Sequence, residues 1–158
     1  METLQEALRR GGKQLESAGI ERPHHDAALL LAGAVGVSKE RLYATLTDRP
    51  DPEEVLRFEE WVDQRARGLP VAYLLGAKEF FGRTFLTDRR ALIPRPDSEL
   101  LVEEALEVAA NLIPSRGSGG IRIHDCCTGT GCIAITVALE LSERGYAPLD
   151  VSGSDYSP

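Results

Sequence analysis

The chemistry of this chain is concentrated in Asp125-Cys126-Cys127-Thr128-Gly129-Thr130-Gly131. A carboxylate, thiols, hydroxyls and glycines stand side by side there. Ile121-Arg122-Ile123-His124 before them reads as a buried strand, and Cys132-Ile133-Ala134 after them as a helix start. Glycine carries no Cβ, so Gly129 and Gly131 allow a sharp turn and a close approach by a ligand. A helix starting there points unbonded N–H groups at that ligand. Strand, glycine loop and helix make the nucleotide-cofactor corner of a doubly wound α/β sheet.

Two cofactor readings fit this corner. Gly129-Thr130-Gly131-Cys132-Ile133-Ala134 matches the dinucleotide pattern, with alanine in the third glycine place. Asp155 follows about 20 residues later, where an acid would hold ribose hydroxyls. That allows an NAD enzyme. An S-adenosylmethionine enzyme uses the same corner: the loop packs on the methionine part, and the acid ending the second strand binds the ribose. Asp125, just before the loop, favours the second reading. A carboxylate there attracts a sulfonium ligand with an ammonium group and repels a pyrophosphate. The plain alternative is a strand-to-helix turn with no ligand, with Asp155 as a turn or capping residue.

Cys126, Cys127 and Cys132 lie near His124 and invite a metal reading. Zinc ligands come in pairs two to four residues apart, which this spacing does not supply. Alternation along a strand sends Cys126 and Cys127 to opposite sides. The cysteines are therefore expected to be small packing residues around a tight turn, with no metal. His24 and His25 are expected at the surface of a helix start.

The elements that must carry the loop come in two styles. The first seventy residues read as short helices. Leu4, Leu8, Leu15 and Ala18 recur at helical spacing, interrupted by Gly11-Gly12, and Gly19 is a stop. Pro23 suits a first helical position, and the apolar helix that follows ends at Gly36. Ser38 is an expected N-cap. Asp51-Pro52-Glu53-Glu54 is a capping box with proline at the first position; Val55, Phe58 and Val62 line one face of its helix, and Gly68 and Pro70 end it. Short helices with short joints predict a helical bundle.

Residues 71 to 94 change character. Lys78 to Phe81, a Gly82-Arg83 turn, and Thr84 to Thr87 read as a β-hairpin. Ile93-Pro94-Arg95-Pro96 must be extended, because residues before proline avoid the helical region. A helix restarts at Pro96-Asp97-Ser98-Glu99, with Leu101, Ala105, Val108, Ala109 and Leu112 as its apolar face. Pro114 to Gly120 reads as a loop, Gly131 to Arg144 as a helix, and Leu149 to Ser154 as a second strand. Ser157-Pro158 reads as another helix start. The chain is thus expected to stop well before such a sheet is complete.

Composition narrows the class. The formal net charge is −7 and the pI about 5.0, which argues against a general nucleic-acid binder. The longest apolar run, Ala27 to Val37, is shorter than the roughly 20 residues a membrane span needs. The N-terminus lacks a signal pattern, and three cysteines make no disulfide framework. A cytoplasmic protein with reduced thiols is expected.

Four stretches carry a family resemblance. Gly68 to Gly76, Glu79-Phe80-Phe81-Gly82, Ile93 to Glu103 and Asp125 to Gly131 resemble the glutamine methyltransferases that act on peptide-chain release factors, the HemK/PrmC family. The resemblance implies an α/β protein: a helical substrate-recognition domain over residues 1–70, a hairpin linker over 71–95, and the first part of a Rossmann-like class I methyltransferase sheet over 96–158. It implies S-adenosylmethionine as cofactor and release factors as partners, methylated on the glutamine amide of a Gly-Gly-Gln loop. Cys127, Thr128, Gly129, Thr130 and Gly131 would form the cofactor loop, with Asp155 on the ribose. The family usually has glycine where Cys127 stands. A thiol is small, so the turn is expected to survive if that position needs no positive φ.

One family element is missing from the sequence. The catalytic motif is Asn-Pro-Pro-Tyr, but the sole asparagine here, Asn111, precedes Leu112. No catalytic residue is therefore assigned. An amide nitrogen is a poor nucleophile, so that motif supplies acceptors that orient it. The chain alone is expected to be inactive. The rivals are a non-catalytic release-factor-binding module, another nitrogen methyltransferase, and an NAD-dependent enzyme.

Overall fold

The computed structural model describes residues 2–116 and 120–156. The chain divides into two compact units, Met1–Leu75 and Gly76–Pro158.

The first unit is helical: α1 (Leu4–Ser17), α2 (Pro23–Ala34), α3 (Lys39–Ala44), α4 (Pro52–Ala66) and α5 (Val71–Leu75). Its ends are set by local chemistry. Thr3 and Glu6 form a capping box on α1, as Asp51 and Glu54 do on α4. The Ser38 hydroxyl accepts the Arg41 N–H at 3.2 Å, and Pro23 opens α2. Gly36 and Gly68 follow α2 and α4 with positive φ, where helices commonly stop. The short helix α5 occupies part of the segment in which the sequence shows only a change of character.

Gly11-Gly12 does not interrupt α1. Both glycines are buried on its inner face, beside Leu4, Ala7 and Leu15, while Ala18 lies outside the helix and is exposed. A Cβ on Gly11 would lie 2.5 Å from Cζ of Phe58, whose ring is fully buried. One on Gly12 would strike the ring of His24, which is exposed. The pair is thus a contact surface that lets α1 press closely on α4 and α2. Arg65 ties α4 to α2 through Asp26 at 2.8 Å, and Arg57 donates to the Ala34 carbonyl at 3.2 Å. The core of Leu15, Ala27, Leu30, Leu31, Leu42, Phe58 and Val62 is drawn wholly from this unit.

The second unit begins with an antiparallel hairpin, β1 (Ala77–Phe80) and β2 (Arg83–Leu86). Its turn is Phe81-Gly82, one residue earlier than the sequence predicts. Both residues have positive φ, 51° and 68°, as a two-residue turn that follows strand twist requires. The α6 helix (Asp97–Arg116) supports that turn: Glu99 accepts the Phe81 N–H at 2.9 Å. Phe80 and Phe85 meet edge to face at 6.1 Å and pack in one cluster with Val102, Leu106, Ala109, Val137 and Leu141. The hairpin is therefore part of this unit's core.

The buried stripe of α6 is Val102, Leu106 and Ala109; of the face expected from its sequence, Ala109 is buried and Ala105 packs partly buried beside it, but the rest is not. Leu101 and Val108 are more than half exposed, at 56% and 54%. Apolar residues circle this helix, so periodicity alone cannot choose its inner side. It also continues through Pro114, where a loop is expected. A proline near a helix end removes one backbone bond from a helix that is already propagating. Residues 117–119 of that loop, and the helix start expected at Ser157-Pro158, lie outside the described residues.

The remaining elements are β3 (Ile121–Cys126), α7 (Cys132–Glu143) and β4 (Leu149–Ser154). β3 and β4 pair in parallel, from Ile121 opposite Leu149 to Cys126 opposite Ser154. This is the strand-helix-strand unit expected from the sequence, with α7 as its crossover. No described helix is long and apolar enough to cross a membrane.

The glycine contacts give an unequal pair of outcomes. Ala normally stabilises a helix interior by about 1 kcal/mol over Gly. Gly11→Ala must displace a fully buried ring, and overpacking of that kind costs about 1–3 kcal/mol. A net loss is expected in urea denaturation. Gly12→Ala meets an exposed imidazole that can swing aside, so its stability is expected to hold or rise.

Candidate functional site

Parallel pairing brings the C-terminal ends of β3 and β4 side by side, and the loop is built across that edge. The Thr128 N–H donates to the Ser154 carbonyl at 3.0 Å, extending the contact past the last strand residue. The Thr128 hydroxyl donates back to Asp125 Oδ2 at 2.9 Å. The Gly131 N–H closes the turn on the Thr128 carbonyl at 2.8 Å. Gly131, with φ 75°, is then the N-cap of α7, and no side chain caps that end. The Gly129 N–H donates to Asp155 Oδ2 at 2.8 Å, which joins the glycine loop to the acid after β4.

Two backbone details were not legible beforehand. Cys127 has φ 64°, so its position does need the left-handed region. The condition under which a thiol would be harmless fails, and Cys127 holds a conformation that costs an L-residue about 1–2 kcal/mol. Gly153 is the second. A Cβ there would lie 2.8 Å from Thr128 Oγ1, so the loop rests directly on β4. Its signal in the sequence is a glycine inside a strand, which marks close backbone approach.

A cleft of about 510 Å³ opens at this edge, within the range of small-molecule sites. It is lined by Cys127, Gly129, Thr130 and Asp155, and by Leu86, Asp88, Arg90, Ala91 and Leu92. Four of the expected site residues therefore line it together. Thr128 and Gly131 do not; they shape the turn behind it. Asp125 is half-buried and binds the Thr128 hydroxyl, and it is not among the lining residues. The charged groups of the lining are two carboxylates, Asp88 and Asp155, and one guanidinium, Arg90.

The segment after the hairpin was missed. In the sequence Arg89-Arg90 looks like ordinary solvated surface. Its signal was Asp88, two residues earlier, in the Asx-turn pattern. Asp88 accepts the Arg90 backbone N–H at 2.9 Å and the Arg90 guanidinium through both oxygens, at 2.6 to 3.0 Å. Hydrogen bonds from the Arg90 side chain and backbone hold the Asp88 carboxyl down at about 2, and Asp88 in turn raises Arg90. The segment is anchored by Thr87, which is buried and donates its N–H to the Gly76 carbonyl at 3.0 Å.

The cysteines are free: Cys126 and Cys127 exposed, Cys132 buried in the core. His124 lies between two hydroxyls, with Nδ1 at 2.9 Å from Ser152 Oγ and Nε2 at 3.0 Å from Ser154 Oγ. Among the described residues, no group of three or more His, Cys, Asp or Glu could hold a metal ion.

The strain at Cys127 generates a stability test. Cys127→Gly removes the left-handed penalty and returns part of the gain as unfolded-state entropy. A net stabilisation of about 1 kcal/mol is expected from denaturant melts. A loss of stability would show that contacts of the thiol, rather than its backbone, govern this position.

Comparison with known proteins agrees with this architecture. Residues 6–76 match the model of the PrmC N-terminal domain. The release factor glutamine methyltransferase of Nitratidesulfovibrio vulgaris is 38% identical over 150 residues, covering 95% of this chain and 48% of that protein. The proteins of the same name from Moorella thermoacetica and Bacillus subtilis are 37% and 34% identical, covering 95% and 96% of this chain and 51% of each relative. The chain thus spans about half the length of the curated relatives it matches. The chain thus carries a PrmC N-terminal domain and is similar along nearly its whole length to release factor glutamine methyltransferases.

Proposed function

We propose that this chain supplies the release-factor-recognising helices and the S-adenosylmethionine cleft of an enzyme that methylates the glutamine side-chain amide of a Gly-Gly-Gln motif. The observation that carries the reading is the bond from the Gly129 N–H to Asp155, in a cleft both residues line. Asp155, the acid that follows β4, is the group placed for a ribose hydroxyl. Cys127, Gly129 and Thr130 offer a surface of small side chains on which the methionine part can lie. When bound, the cofactor supplies an electrophilic methyl group on a sulfonium.

Charge favours this cofactor over a dinucleotide. Two carboxylates against one guanidinium leave the lining net negative. That suits a sulfonium with an ammonium group and opposes a pyrophosphate. The helical unit, Met1–Leu75, is the candidate docking element for release factor, a protein partner found in the cytoplasm. Neither nucleic acid nor membrane is part of this reading.

Transfer needs more than the cleft. The amide acceptors of Asn-Pro-Pro-Tyr are not in this sequence. The 158 residues are therefore expected to bind cofactor without transferring its methyl group.

In thermal scans, S-adenosylmethionine is expected to raise the melting temperature with concentration, and NAD to leave it unchanged. Asp155→Ala is expected to weaken cofactor binding by about 1–3 kcal/mol, the range for a charged hydrogen bond. With labelled cofactor and unmethylated release factor, no label should reach the glutamine. A shift by NAD alone would overturn the cofactor assignment, and label on the glutamine would overturn the account of the missing motif.

A further inference from the structure

We propose that Arg90, held in place by Asp88, receives the α-carboxylate at the amino-acid end of the cofactor. The inference rests on the S-adenosylmethionine reading and assigns the part of the ligand that the glycine loop leaves unmatched. That ligand presents a ribose diol, a sulfonium, an ammonium and a carboxylate. Asp155 accounts for the ribose. Cys127, Gly129 and Thr130 bring no positive side chain. Among the described lining residues, Arg90 is the one cation, the side chain of opposite charge to a carboxylate.

The geometry of Arg90 fits that task. A guanidinium has five N–H donors in a rigid planar fork. Asp88 engages Nε and Nη2, at 3.0 Å and 2.6 Å. Among the described residues Nη1 has no hydrogen-bond partner, so this side of the fork is open on a residue that lines the cleft. An edge of two parallel donors is the shape that binds a carboxylate bidentately. The bond from the Arg90 backbone N–H to Asp88 Oδ1, at 2.9 Å, fixes the turn from which the side chain springs. The buried Thr87 anchors the start of the same segment.

A structural role explains the pair poorly. Arg90 and Asp88 are 82% and 52% exposed, and so open an ion pair contributes little to folding in water. Its consequence is restraint: one edge of the guanidinium is occupied, and the other is left open. The Asp88 carboxyl, ionised at neutral pH like any exposed aspartate, is held lower still, at about 2, by Arg90. Asp88 is thus a positioning residue, and Arg90 the group that touches the ligand.

Two ligands isolate the contact. S-Adenosylhomocysteine carries the amino-acid end; 5′-methylthioadenosine has the same nucleoside thioether without it. By isothermal titration, the unaltered chain is expected to bind both, the first more tightly. Arg90→Ala should weaken S-adenosylhomocysteine about 10- to 100-fold, the range for a hydrogen bond to a charged group, and leave methylthioadenosine unchanged. Arg90→Lys should recover only part of the loss, since an ammonium is a point charge. Asp88→Asn should lower the preference for S-adenosylhomocysteine with no effect on methylthioadenosine. Equal weakening of both ligands by Arg90→Ala would show that Arg90 only shapes the cleft. No weakening of either would also overturn the proposal. If the unaltered chain binds neither ligand, the cofactor reading itself fails and this inference falls with it.

Discussion

The parallel register of β3 and β4 is the constraint on which the site depends. With Cys126 opposite Ser154, both strands end at one edge of the sheet. The residues that follow must then meet, whatever the intervening helix does. Thr128 bonds to the Ser154 carbonyl, and Gly129 bonds to Asp155. Those two bonds place a flexible loop and a distant acid in one rigid frame. A slip of register would separate the acid from the loop. It would also turn the half-buried Ile123 and Val151 away from the side they now share.

The hairpin serves the same frame from the other end of the unit. Phe80 and Phe85 lock it into the core, and Glu99 holds its turn. The Arg83 guanidinium reaches Glu140 at 2.8 Å and Glu143 at 3.0 Å, which ties the hairpin to α7. The chain leaving β2 is thereby delivered to the cleft, where Leu86 to Leu92 contribute lining. Two of the three stretches that resemble the family outside the glycine loop are thus physically joined. Glu99 belongs to the proline-arginine-proline segment, and Phe81 to the hairpin.

Strain falls at one position in the hairpin turn and at one in the proposed site. Phe81 and Cys127 are the described non-glycine residues with positive φ. Phe81 is supported by a carboxylate on its N–H, and its neighbour Gly82 shares the turn. Cys127 lies between strand and loop, where the backbone must reverse within a few residues. Such conformations persist only where surroundings over-determine them. At Cys127 the surroundings are the sheet edge on one side and the Thr128 contacts on the other.

Local chemistry was enough to set much of this structure. The N-caps at Ser38 and Asp51, the proline opening α2 and both strands of the parallel pair follow from short-range steric and hydrogen-bonding rules, so the sequence determined them. So did the membership of Gly129 and Asp155 in one corner, because strand, loop and strand come in a fixed order. Other features were decided only by tertiary contact. Gly11-Gly12 reads as a break until Phe58 and His24 are seen against it. The α6 helix offers apolar residues on every side, and only its neighbours select Val102, Leu106 and Ala109. The turn at Phe81 is one residue earlier than glycine placement implies, because Glu99, eighteen residues on, binds its N–H. Arg90 is part of a cleft only because Cys127, Gly129, Thr130 and Asp155 form its other wall. In each case the deciding partner is distant in sequence, and local rules carry no information about such a partner.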